Sequence, residues 1–270
     1  MILARQERTI ISVLSCFPMT TIPGRRRPRL YERKMAVEML AVVPPVLTAA
    51  VTATLNLRDP GRRALGWLLV AGIAWLAVAS VVRVLHARAQ DREQKRREDY
   101  DGLLGAMHVL YGLVGTRAGI GASEHGRLRI TIHRVVPPVK RGAAAEELEQ
   151  LLPYLGGTAG GAGRRFSIRS GVIGKAVRVN GLVTASRASD DYPQFLGDLV
   201  RDWAYIEEDA RRLTPDRQAW MAVPVAGARR TVAAVVYLDS DDRTFFTNEL
   251  RQIIVDACSG ITSYVNEVYE

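Results

Sequence analysis

Two apolar stretches near the N-terminus, residues 36–57 and 64–85, constrain the chain more than any other feature. Each runs about 22 residues; Glu38 is the only charge in the first and Arg83 the only one in the second. A bilayer needs about 20 apolar residues in helical form, so each is long enough to span it. The competing reading is a pair of buried helices in a soluble core. Such helices keep a polar stripe, and the second stretch has no polar side before Ser80. Pro44 and Pro45 cost the first helix two backbone donors and kink or break it there. The sequence therefore predicts transmembrane helices over 35–57 and 64–85, joined by a short turn at 58–63 into an antiparallel hairpin.

The position of the charge supports this. The chain carries 37 Lys+Arg against 28 Asp+Glu, a net charge of +9. Most of that excess lies in residues 1–34, and the segment beyond residue 85 is close to neutral. A basic protein as a whole suggests nucleic acid, but an excess bordering apolar spans fits a membrane surface, and no nucleic-acid partner is expected. Six Lys/Arg precede the first span between Arg25 and Lys34, and five follow the second between Arg88 and Arg97, against three in the turn. The positive-inside rule then predicts a multi-pass inner-membrane protein with both termini cytoplasmic. Trp67 suits an interfacial anchor. Residues 1–34 read as a disordered basic arm, or as a stretch ahead of a start at Met35; a third reading takes the first span as a cleaved signal. Cys16 and Cys258 are too few and too far apart for a disulfide framework, which points to a reducing compartment.

Residues 86–115 form the expected connecting helix, free of Pro and Gly through Asp99. Its later part places Tyr100, Leu103, Leu104, Met107, Leu110, Tyr111 and Val114 at steps of three and four. That stripe either packs on its own domain or forms a parallel coiled-coil seam in a homodimer, and both readings stand.

Beyond it, residues 128–135 (LRITIHRV) alternate at period two, as a half-buried strand does. Residues 220–225 and 231–239 read as a β-hairpin. A final helix begins near Thr247 or Asn248 and repeats apolar residues from Leu250 to Val268 at helical spacing. With the Gly171–Val172–Ile173–Gly174–Lys175–Ala176 turn and the Phe245–Phe246–Thr247 approach to the last helix, these pieces resemble a GAF domain, a small-molecule sensor fold related to PAS domains. The resemblance covers about residues 103–270, and the domain is assigned to 116–270. It implies an α+β fold with an antiparallel sheet of five or six strands flanked by helices. It also implies a ligand pocket on one sheet face closed by residues 186–218, and a dimer interface of terminal helices. The Asn-Lys-x-Asp pattern of cyclic-nucleotide-binding members is missing, and no cysteine stands where a bilin could attach. The ligand and the residues that bind it are therefore unknown at this level.

The remaining motifs read plainly. The glycine-rich run at 156–163 lacks the lysine-serine/threonine ending of a phosphate loop and is expected to be a flexible surface connection. Acidic clusters at 190–191, 207–209 and 239–242 match no calcium loop, and His86, His108, His125 and His133 show no metal spacing. No metal site or cofactor is identifiable. Tyr192, Trp203 and Tyr205 either line the pocket or pack in the core. No nucleophile has a base in a recognisable frame, so no catalytic residue and no enzymatic role are expected. The leading expectation is a membrane-anchored signalling protein whose GAF-like domain binds a small ligand or a protein partner and signals through the connecting helix. The alternatives are an effector whose hairpin permeabilises the membrane on ligand binding, and a non-catalytic membrane scaffold.

Overall fold

The computed structural model describes residues 62–121, 124, 126–138, 144–157, 160–213, 215–227 and 231–269, with three isolated helical positions, 38, 41 and 48, before them. The arm at 1–34, most of the first expected span, and residues 58–61 of the turn lie outside the described residues. Two compact units divide the chain, one drawn from Arg26–Asp99 and one comprising Tyr100–Glu270 among the described residues. The helix α1, Arg62–Arg117, contributes residues to both.

In the first unit the second expected span and the charged connector are one helix without a break at residue 85. Among the described residues, α1 is the helix long and apolar enough to cross a membrane. Trp67 is 75% exposed and Ile73 60%, with Leu76, Val81 and Val84 also exposed. The less exposed positions Gly72, Trp75, Ala79, Val82 and His86 recur at three and four, marking one covered face. A Cβ at Gly72 would stand 3.9 Å from the Thr48 methyl group, so Thr48 lies against that face.

The second unit is built on a six-stranded antiparallel sheet, flanked by helices, of the expected α+β class. Its strands are β1 (Leu128–Val135), β2 (Glu147–Gln150), β3 (Arg165–Ser167), β4 (Val183–Ser186), β5 (Ala219–Ala226) and β6 (Val232–Ser240), in the order β3-β2-β1-β6-β5-β4. β5 and β6 pair as the expected hairpin, with an irregularity at Val225/Ala226. Alternation gives each strand two faces. On one face Leu128, Ile130 and Ile132 of β1 and Ala234, Val236 and Leu238 of β6 join a large core. Two helices close it. From α1 come Leu103, Met107, Leu110 and Val114, all but inaccessible, so the apolar stripe packs on its own domain. The other is α5 (Asn248–Tyr269), presenting Leu250, Ile254, Cys258, Ile261 and Val265. Thr247 caps α5, its hydroxyl oxygen accepting from the Leu250 amide at 3.2 Å.

On the opposite face, α2 (Gly171–Val179) buries Val172 and Ala176 against Val183, Ala222 and Val235. Residues 186–218, for which the sequence predicts no element of their own, hold α3 (Tyr192–Trp203) and a single-turn helix α4 (Glu207–Ala210). Asp191 caps α3 by accepting from the Gln194 amide at 3.0 Å, and a proline sits in its first turn.

Because the stripe faces the sheet, Met107→Ala should cost about 2–5 kcal/mol by leaving a cavity. Val109→Ala, at a position 72% exposed on the other side of α1, should stay within about 0.5 kcal/mol. Chemical denaturation of the two variants, followed by near-ultraviolet circular dichroism, measures the contrast; equal losses would place the stripe elsewhere.

Candidate functional site

The face of β1 turned away from α1 and α5 carries Arg129, Thr131 and His133, set beside Gln150 of β2 and Tyr237 and Asp239 of β6. A period-two strand with apolar residues on one side normally turns its polar side to water. Here Thr131, His133, Gln150 and Asp239 are almost wholly buried as well, so each polar group requires a partner.

Most have one. Arg129 and Asp239 stand opposite each other across the β1–β6 ladder, and the guanidinium donates from Nε at 2.7 Å and Nη2 at 2.8 Å to the two carboxylate oxygens. Arg217 adds a second cation, its Nε 3.7 Å from the same carboxylate. Burial still raises the Asp239 carboxyl above its ordinary range, against the pull of these two arginines. The Arg129 guanidinium also lies 4.8 Å from the centre of the Tyr154 ring. Thr131 donates to the Leu152 carbonyl at 2.7 Å. Three phenols, Tyr154, Tyr205 and Tyr237, surround the ion pair. Burial pushes all of them up, Tyr205 to about 12, so they stay protonated and neutral.

Three groups are exceptions, one of them Arg217, whose Nε stands 3.7 Å from Asp239 and has no hydrogen-bond partner among the described residues. His133 is fully buried, and among the described residues neither of its ring nitrogens has a hydrogen-bond partner. Its contacts are aromatic edges, Phe166 at 5.4 Å and Tyr237 at 6.1 Å between ring centres. Burial drives its pKa from 6.5 to about 3. Gln150 is its cross-strand partner. The Gln150 amide nitrogen donates to the Leu152 carbonyl at 2.8 Å, while its Oε1 has no partner among the described residues.

The glycine-rich run does more than connect strands. Gly156, at φ 82°, lies so close to the Leu128 carbonyl and the Tyr111 ring that no Cβ fits. Gly161, at φ 93°, rests on the Gln150 amide, and a Cβ there would stand 2.5 Å from Oε1. The described part of this loop is therefore a close-fitting cover over β1 and β2.

Residues 186–218 form a second cover with a small core of their own, Phe195, Leu199 and Ala210. Arg187, buried beneath the Phe195 ring at 4.4 Å, ties the segment together by donating to the carbonyls of Ser189, Asp190 and Pro215 at 2.6, 2.9 and 2.9 Å. Of the three aromatic residues singled out in this segment, Tyr205 alone reaches the polar cluster: its phenol meets Gly171 so closely that a side chain there would collide. Trp203 lies over the Lys175 ammonium group at 4.8 Å and packs with α2. Tyr192 is 40% exposed.

The acidic clusters are occupied. Asp190 pairs with Arg243 at 2.6 Å, Glu207 with Arg211, Asp209 with Arg212, and Asp241 and Asp242 with Arg127. An open depression of about 530 Å³, lined by Arg127, Gln218, Asp241, Asp242 and Arg243, uses these already paired charges. Among the described residues no group of three or more His, Cys, Asp or Glu is placed to hold a metal ion. Cys258 is packed in the helical core, where burial pushes its thiol up to about 12.

No family model matches the chain, and no curated protein matches it. Solved structures similar to it include GAF domains and free methionine-R-sulfoxide reductases. A GAF domain/HD domain protein from Geobacter sulfurreducens aligns at 16% identity over 63% of this chain and 97% of its own, with a TM-score of 0.41. The GAF domain of an Acinetobacter phosphoenolpyruvate-protein phosphotransferase aligns at 12% identity over 61% and 94%, TM-score 0.36. The type II free methionine-R-sulfoxide reductase of Thermoplasma acidophilum aligns at 12% over 60% and 95%, TM-score 0.38.

Burial of neutral His133 makes stability depend on pH. Above pH 6.5 neither folded nor unfolded chain protonates it; below 6.5 the unfolded chain takes up the proton, and the folded chain does not until about pH 3. Between pH 6.5 and 4.5 this group should remove about 2–3 kcal/mol of stability. Denaturant midpoints of the native chain and of His133→Leu across that range should diverge accordingly; parallel curves would show that the imidazole is hydrated.

Proposed function

We propose that the protein is a membrane-anchored sensor whose C-terminal unit holds a small ligand on the polar face of its sheet and signals through α1. The observation that carries the reading is the buried His133–Gln150 pair. Desolvated polar atoms without partners cost about 1–3 kcal/mol each, and a bound molecule that completes them explains why both persist on adjoining strands. The role is binding rather than catalysis, since the cluster offers neutral phenols, a neutral imidazole and an ion pair that satisfies itself.

Anchoring is the second half of the proposal. The exposed apolar residues of α1 between Trp67 and Leu85 need a lipid environment. With the preceding apolar stretch they make the two-span hairpin of a multi-pass inner-membrane protein, both termini cytoplasmic. A homodimer in this scheme uses the outer face of α1, where Val109 and Leu113 are exposed, because the inner stripe is occupied.

Two measurements on the full chain test these halves. Membranes washed at alkaline pH should retain it, and Leu76→Arg should lower the retained fraction, since an arginine at mid-span costs about 2.5–3.5 kcal/mol on insertion scales; complete extraction of the native chain would end the anchor reading. Native mass spectrometry from nanodiscs should show a discrete adduct on the native chain that is absent from His133→Phe. An adduct-free native chain, or one equally loaded in the variant, would end the ligand reading.

A further inference from the structure

Resting on the proposed anchor, we infer that α1 carries a docking face for anionic phospholipid, formed by Arg88, Arg92, Lys95 and Arg96 just past the apolar stretch. The first question is which cations of this stretch are already held. Residues 86–99 contain five Lys/Arg, and one of them is spent: Arg97 donates to the Glu93 carboxylate at 2.9 Å. Arg88, Arg92, Lys95 and Arg96 are exposed, and none has a hydrogen bond or ion pair among the described residues.

Helical spacing puts these four on one side. They stand at i, i+4, i+7 and i+8, inside an arc of about 100°. The carboxylates are sorted differently. Glu93 and its Arg97 continue the covered row of Gly72, Trp75, Ala79, Val82 and His86. Asp91 and Glu98 lie to one flank, where Glu98 accepts from the Gln94 amide at 2.9 Å. Asp99 shares the basic row only at its far end. Traced toward the N-terminus, the basic row runs without a change of side into Leu85, Val81, Val78, Ala74, Val70 and Trp67, again at steps of three and four and all exposed. The side that lipid tails would cover in the span is therefore the side that bears the free cations beyond it.

Depth selects the headgroup. At the helical rise Arg88 lies about 4–5 Å past Leu85 and Arg92 about 10 Å, which spans the headgroup layer and its outer edge. Lys95 and Arg96, at about 15–17 Å, reach back on their long flexible stems, while Asp99 at about 21 Å stands clear of it. Guanidinium groups donate two parallel hydrogen bonds to phosphate oxygens, and a headgroup with net negative charge leaves that charge unneutralised for them. A zwitterionic headgroup carries its own cation. A soluble acidic partner would have to displace phosphates that the span already brings to this side.

Spin-labelled phosphatidylglycerol and phosphatidylcholine, added to phosphatidylcholine proteoliposomes of the full chain, test this by electron paramagnetic resonance of the lipid shell. Phosphatidylglycerol should be preferred about fivefold at low salt, the step expected from one cation near the surface, and the preference should fall toward unity at high salt. Arg88→Gln with Arg92→Gln should abolish it. Arg88→Gln alone should about halve it, whereas Arg97→Gln, with the same loss of one charge on the covered row, should leave it nearly intact. Equal effects of the two single variants would overturn the face and leave net charge as the cause. A preference removed by inorganic phosphate at constant ionic strength would overturn the lipid in favour of a small anion. A chain that inserts and takes both lipids equally would overturn the inference while the anchor stands; a chain that does not enter the liposomes would overturn both.

Discussion

Everything in the C-terminal unit depends on the antiparallel register of β1 against β6, which runs from Leu128 opposite Ser240 to Arg134 opposite Ala234. It sets which side chains face the helices and which face the loops. A slip of one residue would send Arg129, Thr131 and His133 into the core beside Met107 and Ile254. It would also separate Arg129 from Asp239. The apolar side opposes such a slip because α1 and α5 accept only Leu128, Ile130 and Ile132 there. The ion pair opposes it from the other side.

Both faces of this central pair are covered, and that gives the polar face its character. In a sheet with one wet face, Arg129, His133 and Asp239 would be solvated and ordinary. Enclosed by the glycine loop, by β3 and by residues 186–218, they obey the rules of a low-dielectric interior. Arg129 and Asp239 then offset part of what desolvation costs, although burial still prevails at the Asp239 carboxyl, and the phenols hold their protons. His133 and Gln150, with Nε of Arg217, remain the unbalanced part among the described residues. A hydrophobic pair at those two positions would fill the same space without that cost, so the polar pair lowers stability, and the proposed ligand role accounts for its presence.

Much of this architecture was legible from residue periodicity. The period-two alternation of 128–135, the hairpin strands and the Thr247 cap correspond closely to β1, β5–β6 and the start of α5. The short strands β2, β3 and β4 were not resolved, because three or four residues carry too little pattern to separate strand from loop. The helix α3 has its signals, Asp191 as cap, Pro193 in the first turn and Phe195, Leu199 and Trp203 at helical spacing, but the resemblance treats the segment only as the closure of a pocket. The stripe on α1 was legible as apolar yet not as intradomain, since periodicity defines a face and not its partner. Of the candidate site, Tyr205 alone came from the sequence. Arg129, His133 and Gln150 look like the wet side of a strand until the coverage of that side is known, and Asp239 looks like one of several surface acids.

That coverage also bears on how a change at the site reaches α1. The two sides of β1 are back to back, so His133 and Ile132 are chain neighbours facing the loop-covered side and the helix side. Strands transmit little by bending when the core beneath them is close-packed. The glycine loop offers a more direct contact. Gly161 rests on the Gln150 amide and Gly157 on the Arg129 side chain, while Gly156 lies against the ring of Tyr111 on α1. Gly156 is wedged between that ring and the Leu128 carbonyl, so it has no slack in which to absorb a displacement. A ligand that completed Gln150 Oε1 would have to share or move the Gly161 backbone above it. The shift would then be felt at Tyr111, within the stretch of α1 that the core grips between Leu103 and Val114.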